Sequence, residues 1–204
     1  MQKNIEIEIR GPLSKAKFDE LADKFSREGK IICEKDRILI DYSTFLPGSI
    51  EERKKDIRLR VTNGVPEIII KLGSWGGSDQ REEISVLTQP GQFDSLVQIF
   101  KALGLNKGML CQRKSKVFEY QDIEFALVEV PNHSYYFEAE KMVDENENKN
   151  SVTQEITNLC QSLGLRVFSQ KDFFDYIHQL NNEVNEIFDS SISPKDYFKS
   201  RFNL

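Results

Sequence analysis

The chain has 204 residues, 39% of them hydrophobic and 30% charged, with a formal net charge of −5. That length allows one generous domain with a real core, and the acidic balance gives no general pull toward nucleic acid or anionic membranes, so any basic site must be local. Three cysteines, Cys33, Cys111 and Cys160, lie far apart without a CxxC pair, the first residues are charged and alternating rather than leader-like, and no apolar run approaches the ~20 residues of a membrane span, so a cytoplasmic protein with reduced thiols is expected.

The opening stretch NIEIEIR reads as a strand from about residue 3, with Ile5, Ile7 and Ile9 on one face and Glu6, Glu8 and Arg10 on the other. It stops at Gly11-Pro12. Ser14 then caps a helix carrying Phe18, Leu21, Ala22 and Phe25 at helical spacing, ended by Gly29. A second strand runs from about Ile31 to Phe45 with a bend near its middle, and the charge run EERKKD, Glu51 to Asp56, reads as a solvated loop. DIRLRV resumes the alternation, with Arg58 and Arg60 in phase. TNGVP is a tight hairpin turn because Asn-Gly accepts positive φ, and EIIIKL returns with Lys71.

The Gly-rich loop GSWGGSD leads to REEISVL, with Arg81 and Glu83 in phase. A helix from about Pro90 to Leu103 carries Phe93, Leu96, Val97 and Phe100. Three more strand-like runs follow, CQRKSKVFEY, IEFALVEV and SYYFEAEKM. The polar stretch from Asp144 to Asn150 is expected to be exposed. Helices are then expected over about 151–163 and 170–188, which makes 1–188 a single domain, and the weakly patterned residues 189–204 read as a mobile tail. Eight antiparallel strands with helices outside and a helical C-terminal end predict an α+β fold built on a closed β-barrel.

The in-phase polar residues sort by strand. The first strand gives Glu6, Glu8 and Arg10, the second Asp41, the third Arg58 and Arg60, the fourth Lys71, the fifth Arg81 and Glu83, the sixth Lys114 and Lys116, and the eighth Glu138 and Glu140. One such pair alone is an ordinary solvent-facing strand. The whole set is less ordinary, because closing the barrel makes the first and last strands neighbours. Four glutamates would then meet opposite a wall of arginine and lysine. Carboxylates converging on one point suit Mg²⁺ or Mn²⁺, and the cations suit phosphate oxygens. So many charges exclude a dry interior.

These runs in this order resemble the CYTH superfamily, the triphosphate tunnel metalloenzymes. EIEIR is similar to the family's opening Glu-x-Glu-x-Lys, and LID, IRLR, IIKL, REE, KSK and YFEAE resemble its later motifs over roughly residues 3–142. The resemblance implies an eight-stranded tunnel that hydrolyses or cyclises a triphosphate with Mg²⁺ or Mn²⁺. It implies Glu6, Glu8, Glu138 and Glu140 as metal ligands, with Glu6, Glu8 and Arg10 catalytic. It implies Arg58, Arg60, Lys71, Arg81, Lys114 and Lys116 as phosphate holders. Two positions depart from the pattern: Arg10 stands in place of the motif lysine, and Val128 stands where the seventh strand carries an aspartate. Glu124 could substitute for that acid if it faces inward.

Three activities stay open on this basis: a triphosphatase acting on inorganic, thiamine or nucleoside triphosphate, an adenylyl cyclase, and a polyphosphate binder that does not cut. The expected partner is a small triphosphate, with no membrane and no bulk nucleic acid, and a homodimer through the helical tail is left open. His133 and His178 lie far apart with no ligand-like spacing and read as surface or packing residues. GSWGGSD lacks the Gly-Lys-Ser/Thr end of a P-loop and reads as a hairpin loop, or as a lip over the tunnel mouth bearing Trp75.

Overall fold

The opening alternation folds as β1 (Ile5–Leu13), and Ser14 caps α1 (Lys15–Glu28) by accepting from the Lys17 amide. Then come β2 (Lys30–Asp41), a short 3-10 turn (Tyr42–Phe45), β3 (Lys55–Thr62), β4 (Val65–Leu72) and β5 (Ser78–Leu87). The second half holds α2 (Phe93–Ala102), β6 (Lys107–Tyr120), β7 (Ile123–Val130), β8 (Ser134–Val143), α3 (Lys149–Ser162), α4 (Gln170–Glu183), β9 (Glu186–Asp189) and α5 (Tyr197–Phe202). This computed structural model describes residues 5–144 and 146–204, and of Asp79 the backbone only. Lys3, Asn4 and Glu145, which the strand and loop expectations included, lie outside the described residues.

All neighbours pair antiparallel in the order β2-β3-β4-β5-β1-β8-β7-β6, and β2 pairs back onto β6, so eight strands close into a barrel. The ninth, β9, adds to β6 where β7 stops short. Asn63 and Gly64 both take positive φ in the β3–β4 turn, as their sequence demands. Gly11 is required for another reason: a Cβ there would lie 1.9 Å from the Arg166 carbonyl, where the chain after α3 crosses β1 and the Phe168 amide donates to the Arg10 carbonyl at 2.9 Å.

The barrel is apolar outside and polar inside, because helices cover its outer face. Ile7, Ile9, Phe125, Leu127 and Phe137 lie beneath Phe18, Leu21 and Phe25 of α1 and Ile156 and Cys160 of α3. Ile40, Leu59 and Val61 lie beneath Phe93, Leu96 and Phe100 of α2 and Phe198 of α5. At one end of the tunnel Phe168 and the α4 residues Phe173 and Phe174 pack on Trp75.

Two expectations need correction here. The last long helix stops at Glu183, and residues 186–189 form β9. Residues 189–204 are not loose, for Phe198 is fully buried against Phe93 and Phe188. Their weak pattern reflects a single short helix anchored by one aromatic side chain. Among the described residues no helix is long and apolar enough to cross a membrane.

Candidate active site

Register brings three acids together. Glu8 on β1 faces Glu140 on β8 directly, and Glu6 projects two residues along on the same inward face. Carboxylate oxygens of Glu6, Glu8 and Glu140 all lie within 4.8 Å of one another. Glu8 is only 2% exposed. Burial, with the Glu8 charge behind it, pushes the Glu6 carboxyl up. Burial and then Glu8, Glu6, Glu138 and Glu124 push Glu140 well above the usual carboxylate range. Burial acts the same way on Glu8, but Arg10 with Lys71, Arg81 and Arg58 outweighs it and brings that carboxyl down to about 2. Glu138, the fourth expected ligand, stands opposite Arg10 and lies 3.6 Å from its guanidinium instead of joining the three.

The cations of β3, β4 and β5 that were expected to hold phosphate have each found a carboxylate. Lys71 sits 2.5 Å from Glu6 and 3.0 Å from Glu83. Arg58 and Arg81 each reach Asp56 at 2.6 Å, and Arg60 reaches Glu67 at 2.6 Å. Arg10 donates to Glu8 and, at 2.8 Å, to the Gly76 carbonyl. Arg53 spans Asp41 at 2.8 Å and Asp56 at 2.7 Å, and its guanidinium stacks 4.5 Å from the Trp75 ring. This part of the tunnel thus pairs its own charges.

Asp56 and Arg53 correct the expectation of a solvated loop at 51–56, since both are buried, at 1% and 8% exposure. Asp56 could have been found by carrying the β3 alternation back two residues from Arg58. Arg53 lies in the loop with no periodic signal. Burial acts to raise the Asp56 carboxyl, but Arg58, Arg53 and Arg81 hold it well below the usual range.

The sixth strand departs most from expectation. Lys114 and Lys116 point outward and are exposed, lining an outer groove with Lys15, Asp36 and Glu129. Their register partners on β2 are Asp36 and Glu34, one residue out of phase with the tunnel. The inward positions of β6 are Cys111, Arg113 and Ser115, beside Arg37 and Leu39 of β2. Val128 does face inward, opposite Ser115 and Tyr136, and forms an apolar wall with Val117 and Ala126. Glu124 stands opposite Glu140 with Lys35 3.6 Å away.

A cavity of about 140 Å³ lies between the barrel interior and α4, lined by Arg10, Arg37, Arg58, Arg60 and Arg113 and, from the far side, by Trp75, Tyr136, Phe168, Phe173 and Tyr176. Trp75 is packed edge-on against Phe173 and Phe174, so its loop is a docked lip. Burial pushes the Cys111 thiol in the wall up to about 11. His133 and His178 pair at the surface with Glu183 and Glu51, at 2.9 and 3.0 Å.

The closed eight-stranded antiparallel barrel, with acids gathered on its first and last strands, is the architecture that the sequence resemblance implied. No family model matches the chain, and no curated protein matches it. Solved structures do. The PH1819 protein of Pyrococcus horikoshii is 17% identical, with a TM-score of 0.68 over 85% of this chain and 98% of that one. A "putative adenylate cyclase" of Vibrio parahaemolyticus is 16% identical, with a TM-score of 0.61 over 85% and 99%. A "putative adenylyl cyclase" of Hippeastrum, described as having a dominant triphosphatase activity, is 15% identical, with a TM-score of 0.55 over 80% and 89%. At these identities the likeness establishes the fold.

Proposed function

We propose that the tunnel hydrolyses a triphosphate with the help of a bound divalent metal ion. The observation that carries this reading is the buried cluster of Glu6, Glu8 and Glu140, with its oxygens within 4.8 Å of one another. Three hard oxygen donors that repel one another, to the point of pushing the Glu140 carboxyl well up, fit Mg²⁺ or Mn²⁺. Glu6, Glu8 and Glu140 would hold the ion, and Glu138 lies beside them on β8. Bound there, it would supply positive charge to the oxygens of the phosphoryl group under attack.

The chain's own cations do the rest. Arg58, Arg60, Lys71 and Arg81 hold phosphate oxygens by exchanging their present carboxylates for them. A phosphate that draws Lys71 away from Glu6 frees that carboxylate for the metal. In a buried site such contacts are fixed before the reaction and poorly screened by water, so they stabilise charge as the P–O bond breaks. Arg10 cannot give up a proton, because a guanidinium stays charged. It holds Glu8 and ties β1 to the Gly76 carbonyl.

A second reading has its own observation. Val128 places an apolar wall inside the seventh strand, and Arg10 occupies Glu8, which suits a tunnel that holds triphosphate without cutting it. One experiment separates the two: phosphate release, alongside cyclic AMP formation from ATP, with inorganic triphosphate, thiamine triphosphate and ATP, each with Mg²⁺, Mn²⁺ or chelator. Metal-dependent release lost in Glu6→Gln and Glu140→Gln supports the triphosphatase. Tight binding without release supports the holder. Neither binding nor release overturns both.

A further inference from the structure

We infer that the outer face of β4 and β5, together with the exposed edge of α2, is an interface between two copies of this chain. The helices that clothe the barrel leave a gap there. α2 packs on β3 and α3 on β1. β4 and β5 lie between those strands, and among the described residues no helix packs on them to a comparable extent. Their outward positions are apolar all the same. Ile68 stands opposite Val86 and Ile70 opposite Ile84, alternating with inward Lys71 and Glu83. Ile84 is 50% exposed and Val86 59%. Elsewhere on the barrel an outer face of this composition lies beneath a helix.

α2 supplies the other half of the surface. Phe93, Leu96, Val97 and Phe100 turn toward the barrel, and Ile68 of β4 packs on their cluster. α5 occupies one flank of α2, where the Phe198 and Lys199 amides donate to Asp94 at 3.0 and 2.9 Å. That flank lies toward β6, since Phe198 also packs on Phe188 of β9. At ~100° per residue, Leu103 falls opposite Asp94 around the helix, with Ile99 beside it. Both therefore border β4 and β5, and they are 71% and 52% exposed. Ile68, Ile70, Ile84, Val86, Ile99 and Leu103 together expose roughly 500 Å², near the top of the about 300–600 Å² of a monomer's largest apolar patch. With its polar rim, such a patch approaches the ~800 Å² that each partner buries in a stable complex. None of the six side chains is charged, so the net charge of −5 does not act here to hold copies apart. The shape selects a second copy as the occupant. The recess is two strands wide, ~10 Å, and an α-helix is ~10 Å across. One chain carries both the recess and, at its border, a helix edge bearing Ile99 and Leu103. A two-fold axis between them sets the α2 edge of each copy into the recess of the other.

The test is sedimentation of the full chain over about 1–100 μM, where an interface of this size is populated. Wild type is compared with Val86→Glu and Leu103→Glu. Ile192→Glu serves as the control, since Ile192 is 84% exposed and follows β9, away from this face. Wild type and control should form a dimer. Each of the other two variants should associate at least ~100-fold more weakly, because the two-fold axis buries the new charge twice. Hydrogen exchange on wild type gives a reading that needs no substitution. Protection gained at the high concentration should fall on residues 68–72, 84–87 and 99–103. Protection gained elsewhere overturns the assignment, as does a dimer that survives either substitution or is lost equally in the control. A wild type that stays monomeric throughout also overturns it. If that monomer floats with neutral phosphatidylcholine vesicles and Leu103→Glu does not, the face belongs to a bilayer instead.

Discussion

Replacing Asp56 with asparagine removes one negative charge from beneath three guanidinium groups. The carboxylate is 1% exposed and bonds Arg53 at 2.7 Å and Arg58 and Arg81 at 2.6 Å. Deleting one partner of a buried ion pair costs about 3–5 kcal/mol, because the remaining charge stays desolvated. Arg53 keeps Asp41, whereas Arg58 and Arg81 each lose a carboxylate contact of 2.6 Å, so a cost in this range applies. At roughly 2–4 °C per kcal/mol for a domain of this size, the melting temperature should fall by about 6–20 °C. Calorimetry at neutral pH reads this directly, and added inorganic triphosphate should recover part of the loss by supplying the missing negative charge.

The pH dependence follows from the sign of the shift. Although burial opposes it, Arg58, Arg53 and Arg81 depress the folded-state carboxyl below its unfolded value. Its stabilisation is therefore present above the unfolded value, ~3.9, and disappears as pH falls through the folded one. The gap between wild type and Asp56→Asn should shrink below about pH 4. A variant melting within about 2 °C of wild type at neutral pH would falsify the picture of Asp56 as the anchor of the cation wall.

Glu140 carries the opposite sign. Burial and then Glu8, Glu6, Glu138 and Glu124 raise its folded-state carboxyl, so the metal-free protein loses stability as pH rises from ~4.3 through the folded value. Glu140→Gln should melt higher than wild type near neutral pH without metal and lose the stabilisation that Mg²⁺ or Mn²⁺ gives wild type; a lower metal-free melting temperature would sink this account. Lys114→Met and Lys116→Met should leave triphosphate affinity unchanged, since both side chains point outward, and a tenfold loss in a titration would place them inside after all. Phe198→Ala should cost about 3–5 kcal/mol in urea unfolding, because it empties a fully buried site between Phe93 and Phe188, whereas a loose C-terminal segment would lose almost nothing.

Strands such as β1 and β3 were legible because one face is apolar under helices and the other is charged inside the tunnel. Ile5, Ile7 and Ile9 against Glu6, Glu8 and Arg10 leave no doubt about phase. The β6 strand offers no such contrast. Its outer face runs from exposed Gln112, Lys114 and Lys116 to Phe118, buried against Phe25 of α1, while its inner face mixes Cys111, Arg113, Ser115 and Val117. With both faces mixed, a one-residue choice of phase sends every side chain to the other side. Pairing with β2 made that choice, through Arg37 opposite Arg113.

By itself, then, the sequence determined the eight strands of the barrel, the Ser14 cap of α1 and the two acids and two arginines of β1 and β3, because alternation and capping are local and each residue type suits one face or one turn. Closure of the barrel decided the rest. It set Glu8 opposite Glu140, drew Arg53 and Asp56 out of an apparently solvated loop, turned Lys114 and Lys116 away, and left Arg37 and Arg113 facing each other inside. Those placements depend on pairings between residues far apart in the chain. The net gain from burying a charge depends on the partner that arrives with it, and no local pattern encodes that partner.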